Sequence, residues 1–146
     1  MKSLGIEFDA NRMNYVVVAR NASDENTVVT SGKLSLEDSR DAEAVRFFSS
    51  AVREMVNIIG PEIISIKAKP ENGQMRAGAT ALKMEALVLA HSLSPVYFLS
   101  SQRVEKAAAN NGDLYAYQQG AWKAAVAGFD GPPKKPAAKK PKPKAK

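Results

Sequence analysis

The sequence predicts an α/β fold in which helices flank a five-stranded mixed sheet, with the element order βββαβαβαα along the chain. Two observations lead to this prediction. Three segments rich in β-branched and aromatic residues come first, and the apolar residues then change from strand-like runs to three- and four-residue spacing. A length of 146 residues with 45% hydrophobic residues is typical of one domain with its own core.

The first three elements are predicted strands. Residues 3–9 alternate polar and apolar side chains and end before the turn-prone tripeptide Ala10-Asn11-Arg12. Residues 15–19 and 27–31 are rich in valine and threonine, and the polar loop 21–26 separates them. Because only short turns connect these three segments, we expect them to pair as a meander.

The first predicted helix follows residues 35–39, whose serine and aspartate side chains can cap its start. The run ends at Gly60-Pro61, and its apolar residues recur at helical spacing: Val45, Phe48, Val52, Met55, Val56 and Ile59. Residues 62–66 then form a short apolar strand. A strand, a helix and a strand in this order imply a right-handed parallel crossover.

The remaining elements alternate in the same way. Residues 76–94 predict a second helix with one apolar face, formed by Ala79, Leu82, Ala86, Leu89 and Leu93. Residues 96–99 are strand-like, and Ser100 and Ser101 can cap a short helix over 102–109. Asp113 can cap a last helix that reaches about residue 127. The last helix places Tyr115, Trp122, Val126 and Phe129 on one face, and we interpret its aromatic residues as core rather than as a base-stacking surface.

The positive charge is confined to one end of the chain. The formal net charge is +6, but seven of the 21 Lys and Arg residues lie in residues 132–146, so residues 1–131 carry 14 basic and 15 acidic side chains. We therefore predict a folded domain over residues 1–131 and a disordered Lys/Pro/Ala tail over residues 132–146. Such a tail binds phosphates without reading bases, although it could also serve only as a solubilising segment.

Several functional classes are excluded or disfavoured by composition. The chain has no cysteine, which excludes a disulfide framework, a thiolate nucleophile and Cys-ligated metal sites, and it has one histidine, His91. No apolar run approaches the 18 residues of a membrane span, and no signal peptide is visible, so we expect a cytoplasmic protein without a membrane partner.

Two motifs carry a family resemblance. Gly5-Ile6-Glu7 ends the first predicted strand, and the run MRAGATALKMEA occupies positions 75–86. With the element order, these motifs resemble the ribonuclease-H-like superfamily, in particular its branch of RuvC-type Holliday-junction resolvases and YqgF-like proteins. The second motif is similar to that of an uncharacterised bacterial family of small ribonuclease-H-like domains. The resemblance spans roughly residues 3–128 and implies the ribonuclease-H-like fold.

The resemblance also implies where an active site would lie. Glu7 matches the first acidic position of the resolvases, whereas Lys67 follows the fourth strand where a second acid is normal. Asp113 is near the last acidic positions, but residues 114–118 contain no acid. Catalytic candidates are therefore Glu7 and Asp113, and metal candidates are Glu7 and Asp9. Two-metal phosphoryl hydrolysis needs several carboxylates, so we expect a degenerate site in which Lys67 pairs with Glu7. The alternative is that Glu71, Asp9 or Glu85 supplies a missing carboxylate from another direction.

Two groups of basic residues are candidates for nucleic-acid binding. Lys67, Lys69, Arg76 and Lys83 accompany a single acid, Glu71, in a segment that lies along the nucleic-acid groove of the resembling enzymes. An ordinary solvated face is the alternative interpretation. The second group is the set of tail lysines, Lys134, Lys135, Lys139, Lys140, Lys142, Lys144 and Lys146.

Three functional hypotheses follow. The leading one is a non-catalytic ribonuclease-H-like domain that binds nucleic acid or nucleoprotein independently of sequence, largely through its tail. The second is a resolvase-type nuclease, which would require Mg²⁺ or Mn²⁺; otherwise we expect no cofactor. The third is a protein-interaction module with a solubilising tail. The sequence leaves open the choice between DNA and RNA and the oligomeric state.

Overall fold

A computed structural model describes residues 1–69, 73 and 77–133. Its elements, in chain order, are β1 (Lys2–Asp9), β2 (Arg12–Arg20), β3 (Asn26–Ser35), α1 (Ala42–Ile59), β4 (Ile63–Lys67), α2 (Ala79–His91), β5 (Val96–Leu99), α3 (Ser101–Ala107), a 3₁₀ turn (Ala116–Gln118) and α4 (Gln119–Gly128). The predicted tail lies outside the described residues from position 134 onward, as do Glu71 and Arg76, so the predictions for them stay untested.

The five strands form one mixed sheet in the order β3-β2-β1-β4-β5. The first three strands pair antiparallel as the predicted meander, whereas β1–β4 and β4–β5 are parallel. Short turns after β1 and β2 reverse the direction of the chain. Helices α1 and α2 are crossover connections, and the strands that follow them, β4 and β5, each pair in parallel with a neighbouring strand. The predicted α/β class and five-stranded mixed sheet are therefore confirmed.

The main core lies between one face of the sheet and helices α1 and α2. Alternate residues of β1, Leu4, Ile6 and Phe8, point into this core and pack with Phe48 and Met84 among others. Burial of each such large side chain contributes about 2 kcal/mol of hydrophobic stabilisation. The even-numbered residues of β1 thus fix which face of the sheet receives the two crossover helices.

Helix α4 covers the opposite face, where β1 and β4 contribute small side chains near the middle of the sheet. Ser3 and Ser65 are fully buried there, and a Cβ atom on Gly5 would overlap the backbone of Ala121 and Ala125 in α4. The alternation of polar and apolar residues in β1 therefore does not mark a solvated face. It marks a face where α4 lies so close that Gly5 leaves no space for a side chain.

Helix α1 begins later than the sequence prediction. Strand β3 continues to Ser35, so residues 35–39 do not cap the helix. Asp41 is the N-cap instead, and its carboxylate accepts a hydrogen bond of 3.0 Å from the backbone N–H of Ala44. The helix ends at Ile59, before Gly60-Pro61, as predicted.

The buried face of α2 differs from the predicted one. Ala81, Met84 and Val88 pack into the core, whereas Leu89 is exposed and Leu93, just beyond the helix, is 76% exposed. Apolar residues occur on both sides of this helix, so spacing alone supports two different faces. The helix also begins at Ala79 rather than at position 76, because Gly78 is its N-cap.

The last helix begins five residues later than predicted. Asp113 does not cap it, because the chain passes through an extended Tyr115 and the 3₁₀ turn before α4 starts at Gln119. Trp122 and Val126 are buried as predicted, but Tyr115 is exposed, so its assignment to the core was wrong.

Among the helices of the described segments, none is both long and apolar enough to cross a bilayer.

Candidate functional site

The candidate site lies near the carboxyl ends of the adjacent parallel strands β1 and β4. Ile6 is paired with Ile66, so the next residues, Glu7 and Lys67, become neighbours at the carboxyl ends of the two strands. Glu7 Oε2 lies 3.1 Å from Lys67 Nζ. The ion pair predicted from the charge reversal at position 67 is therefore present.

Two further residues extend this pair into an ion-pair network of Glu7, Lys67, Glu105 and Lys123. Lys67 Nζ donates a hydrogen bond of 2.7 Å to Glu105 Oε1 in α3, and Lys123 Nζ in α4 donates one of 3.0 Å to Glu105 Oε2. The charges alternate in sign along the network and sum to zero. Four separate elements thus contribute one side chain each.

The close approach of α4 shapes the position of Glu7. A Cβ atom on Gly120 would overlap the Glu7 carboxylate, so the absence of a side chain there gives the carboxylate its place beneath the helix. The side chains of Glu7 and Lys67 are only 23% and 18% exposed. Because both charges are largely removed from water, each needs an opposite charge nearby.

The pKa shifts in the network follow from its hydrogen bonds. Burial lowers the pKa of Lys67, but hydrogen bonds to Glu105 and Glu7 outweigh burial and hold the pKa above its ordinary value of 10.5. Hydrogen bonds from Lys67 and Lys123 hold the pKa of Glu105 below its ordinary value of 4.5. Both shifts favour the charged forms, so Lys67 and Glu105 are ionised at neutral pH.

The described residues offer few carboxylates to hold the two divalent ions that phosphodiester hydrolysis uses. No group of three His, Cys, Asp or Glu residues suited to a metal ion occurs in residues 1–69, 73 and 77–133. Asn14 lies opposite Glu7 in register, but its buried Oδ1 adds only one neutral oxygen. A Lys67 ammonium 3.1 Å from Glu7 repels a divalent cation at that carboxylate.

The other predicted acids lie elsewhere. Asp9 pairs with Arg12 at 3.1 Å on the surface. Asp113 is exposed in the loop before the 3₁₀ turn, where its backbone N–H donates to Asn111 Oδ1. Neither carboxylate contributes to the ion-pair network.

The basic residues between positions 67 and 83 do not share one environment. Lys67 is held by its two carboxylates, while Lys83 Nζ donates a hydrogen bond of 2.9 Å to the backbone oxygen of Ser39. Lys69 is exposed beside a shallow cavity of about 390 Å³ that Asn11 and the first turn of α2 also line. Lys69 and Lys83 are both exposed, whereas Lys67 is partly buried.

Sequence reasoning missed Glu105 and Lys123. Both come from helices that pack over the strand ends only in the folded chain, and their spacing of 18 residues matches no local motif. Their joint contact with Lys67 is a consequence of the packing of α3 on α4, which the sequence pattern does not reveal.

Residues 1–128 match the model of a protein family described as a protein of unknown function, DUF3010. The chain belongs to this family. No curated protein matches the chain. The family match ends close to the end of α4, so it covers the whole sheet and all four residues of the ion-pair network.

Solved structures show which fold this DUF3010 domain has. Thermus thermophilus RuvC is 16% identical, with a TM-score of 0.73 over 88% of this chain and 93% of that one. The same resolvase in complex with a Holliday junction substrate gives 0.66 over the same shares, at 16% identity. A yeast mitochondrial Holliday junction resolvase is 12% identical, with a TM-score of 0.59 over 86% of this chain and 77% of that one. The fold is that of RuvC-like ribonuclease-H domains.

Proposed function

We propose that this protein is a non-catalytic ribonuclease-H-like domain that binds nucleic acid or nucleoprotein independently of base sequence. One observation carries the non-catalytic part of the proposal. The ammonium group of Lys67 lies 3.1 Å from the Glu7 carboxylate, the acid that matches the first metal-binding position of the resembling enzymes. A positive side chain thus takes the place of a cation.

The chemistry of phosphodiester hydrolysis supports this part of the proposal. Two divalent ions about 4 Å apart must polarise the attacking water and stabilise the leaving oxygen. Each ion needs carboxylate oxygens, and an ammonium group can neither polarise a water as a Lewis acid does nor leave room for an ion that does. Both acids of the ion-pair network are already neutralised by Lys67 and Lys123.

Two observations support nucleic-acid binding. The structure of Thermus thermophilus RuvC with a Holliday junction substrate has the same fold and covers 88% of this chain. In addition, seven lysines fall within the last 15 residues, and such lysines bind phosphates as point charges. Since such lysines do not read base edges, the expected binding depends on salt concentration and not on base sequence.

The proposal is tested by incubating the full chain with fluorescent duplex DNA, duplex RNA and a DNA four-way junction, with Mg²⁺, Mn²⁺ or a chelator. We expect binding at low salt and intact substrates under every metal condition. Metal-dependent cleavage that disappears in Glu7→Gln would identify a resolvase-type nuclease instead. Failure to bind any of these substrates or single-stranded oligomers would favour a protein-interaction module with a solubilising tail.

A further inference from the structure

Two exposed tyrosines form a parallel stack just before α4. The ring centroids of Tyr115 and Tyr117 are 5.9 Å apart, and the ring planes differ by 7°. Tyr115 is 71% exposed, so one ring of the pair faces solvent over most of its surface. Single exposed aromatic side chains are common on protein surfaces. Two stacked rings are different because they present a flat aromatic face to solvent.

A positive charge lies beside this stack. Lys33 Nζ is 5.5 Å from the centroid of the Tyr117 ring, within the range of a cation–π interaction. We call Tyr115, Tyr117 and Lys33 the tyrosine platform. It combines an accessible π-face with a cation that a phosphate group can approach.

The platform lies on the same face of the sheet as the ion-pair network, two strands away from it. Glu7 in β1 is paired with Asn14 in β2, and Asn14 is paired with Lys33 in β3. Directly opposite residues point to the same face of a sheet, so these three side chains form a row on the face that α4 covers. The platform therefore lies at the β3 end of the row that begins at the candidate site.

Two glutamines hold the segment that carries the tyrosines. Gln118 is buried and bridges two elements: its Nε2 donates to Ser31 Oγ at 3.0 Å, and its Oε1 accepts from the backbone N–H of Tyr115 at 3.1 Å. The Gln119 side chain makes two hydrogen bonds of 2.8 Å with the backbone of Asn111: its Oε1 accepts from the N–H group, and its Nε2 donates to the carbonyl oxygen. The rings are thus presented by an anchored turn, which reduces the entropy lost when a ligand binds.

We infer that the tyrosine platform stacks an unpaired nucleobase and so directs the domain to single-stranded or unpaired nucleotides. The base would stack on the open face of Tyr115, because rings 5.9 Å apart leave less than the two spacings of about 3.4 Å that a base between them requires. Lys33 supplies the positive charge for the nucleotide's phosphate. Stacking is tolerant of sequence since every base has a π-face. The inference rests on the proposed nucleic-acid function and specifies its substrate class.

The test compares two single-stranded probes on the full chain: an oligothymidylate and an abasic oligomer of equal length and charge. Tyr115→Ala should weaken oligothymidylate binding about tenfold and leave abasic binding unchanged, because only the first probe can stack. Tyr115→Phe should retain the wild-type affinity for both probes. Phe47→Ala is the matched control, since Phe47 is 75% exposed on α1 at the opposite face of the sheet and should have no effect.

The outcomes separate this inference from the proposed function. Unchanged oligothymidylate binding in Tyr115→Ala, or an equal loss for both probes, would overturn the platform while nucleic-acid binding stands. If the wild-type chain binds neither probe nor any duplex, the proposed function itself is wrong and the platform is wrong with it.

Discussion

Replacing all seven tail lysines with glutamine should abolish most of the affinity for nucleic acid. Each lysine that contacts a phosphate releases a condensed counterion. A plot of the logarithm of the affinity against the logarithm of the salt concentration therefore has a negative slope of about 0.9 per contact. If all seven lysines of residues 132–146 take part, the substitution reduces that slope by about 6. At physiological salt concentration we expect the affinity to fall about a hundredfold or more. Fluorescence anisotropy over a series of salt concentrations measures both the affinity and the slope.

The matched control replaces the five tail prolines with serine and keeps every lysine. Because the proposed binding depends on charge and not on backbone conformation, this variant should keep both the affinity and the salt slope. A glutamine-tail protein that binds as tightly as the wild type, with an unchanged salt slope, would mean that the folded domain alone carries the binding and that the tail only solubilises.

Gly5→Ala should be strongly destabilising. The added Cβ would overlap the backbone oxygen of Ala121 and come within 2.7 Å of the side chain of Ala125, and neither group can move without displacing α4 from β1. Overpacking of this kind costs about 3 kcal/mol in the free energy of unfolding. For a domain of this size, that loss lowers the melting temperature by roughly 6 to 12 °C, which calorimetry or circular dichroism measures directly.

Gly112→Ala provides the comparison. A Cβ at Gly112 would meet no heavy atom within 4 Å. The free energy of unfolding of this variant should therefore lie within about 0.5 kcal/mol of the wild-type value. Equal melting temperatures for Gly5→Ala and the wild type would contradict the close packing of α4 on β1, and with it the position of Glu7 beneath Gly120.

Much of the fold could be predicted because local pattern and topology agree in the first two thirds of the chain. The meander follows from β-branched segments and short turns, and the parallel pairing of β1 with β4 follows from the intervening helix. The buried face of α2 could not be predicted, since its apolar residues surround the helix and only contact with the sheet selects Met84 over Leu89.

The candidate site divides in the same way. Glu7 and Lys67 were predictable because adjacent parallel strands bring the residues near their carboxyl ends side by side, and both strands are visible in the sequence. Glu105 and Lys123 depend on how two helices pack, which has no local signal. Tyr115 was assigned to the core on helical spacing, but its segment is extended, so that spacing had no structural meaning there.

The most direct test of Lys67 as the substitute for a metal ion is a calorimetric Mn²⁺ titration of the wild-type chain and of Lys67→Glu. The substitution would place a third carboxylate beside those of Glu7 and Glu105. Carboxylate oxygens are ligands that divalent cations such as Mn²⁺ prefer. We predict no Mn²⁺ binding at the wild-type site and one bound ion in Lys67→Glu. Stoichiometric Mn²⁺ binding by the wild type that is lost in Glu7→Gln would contradict this account.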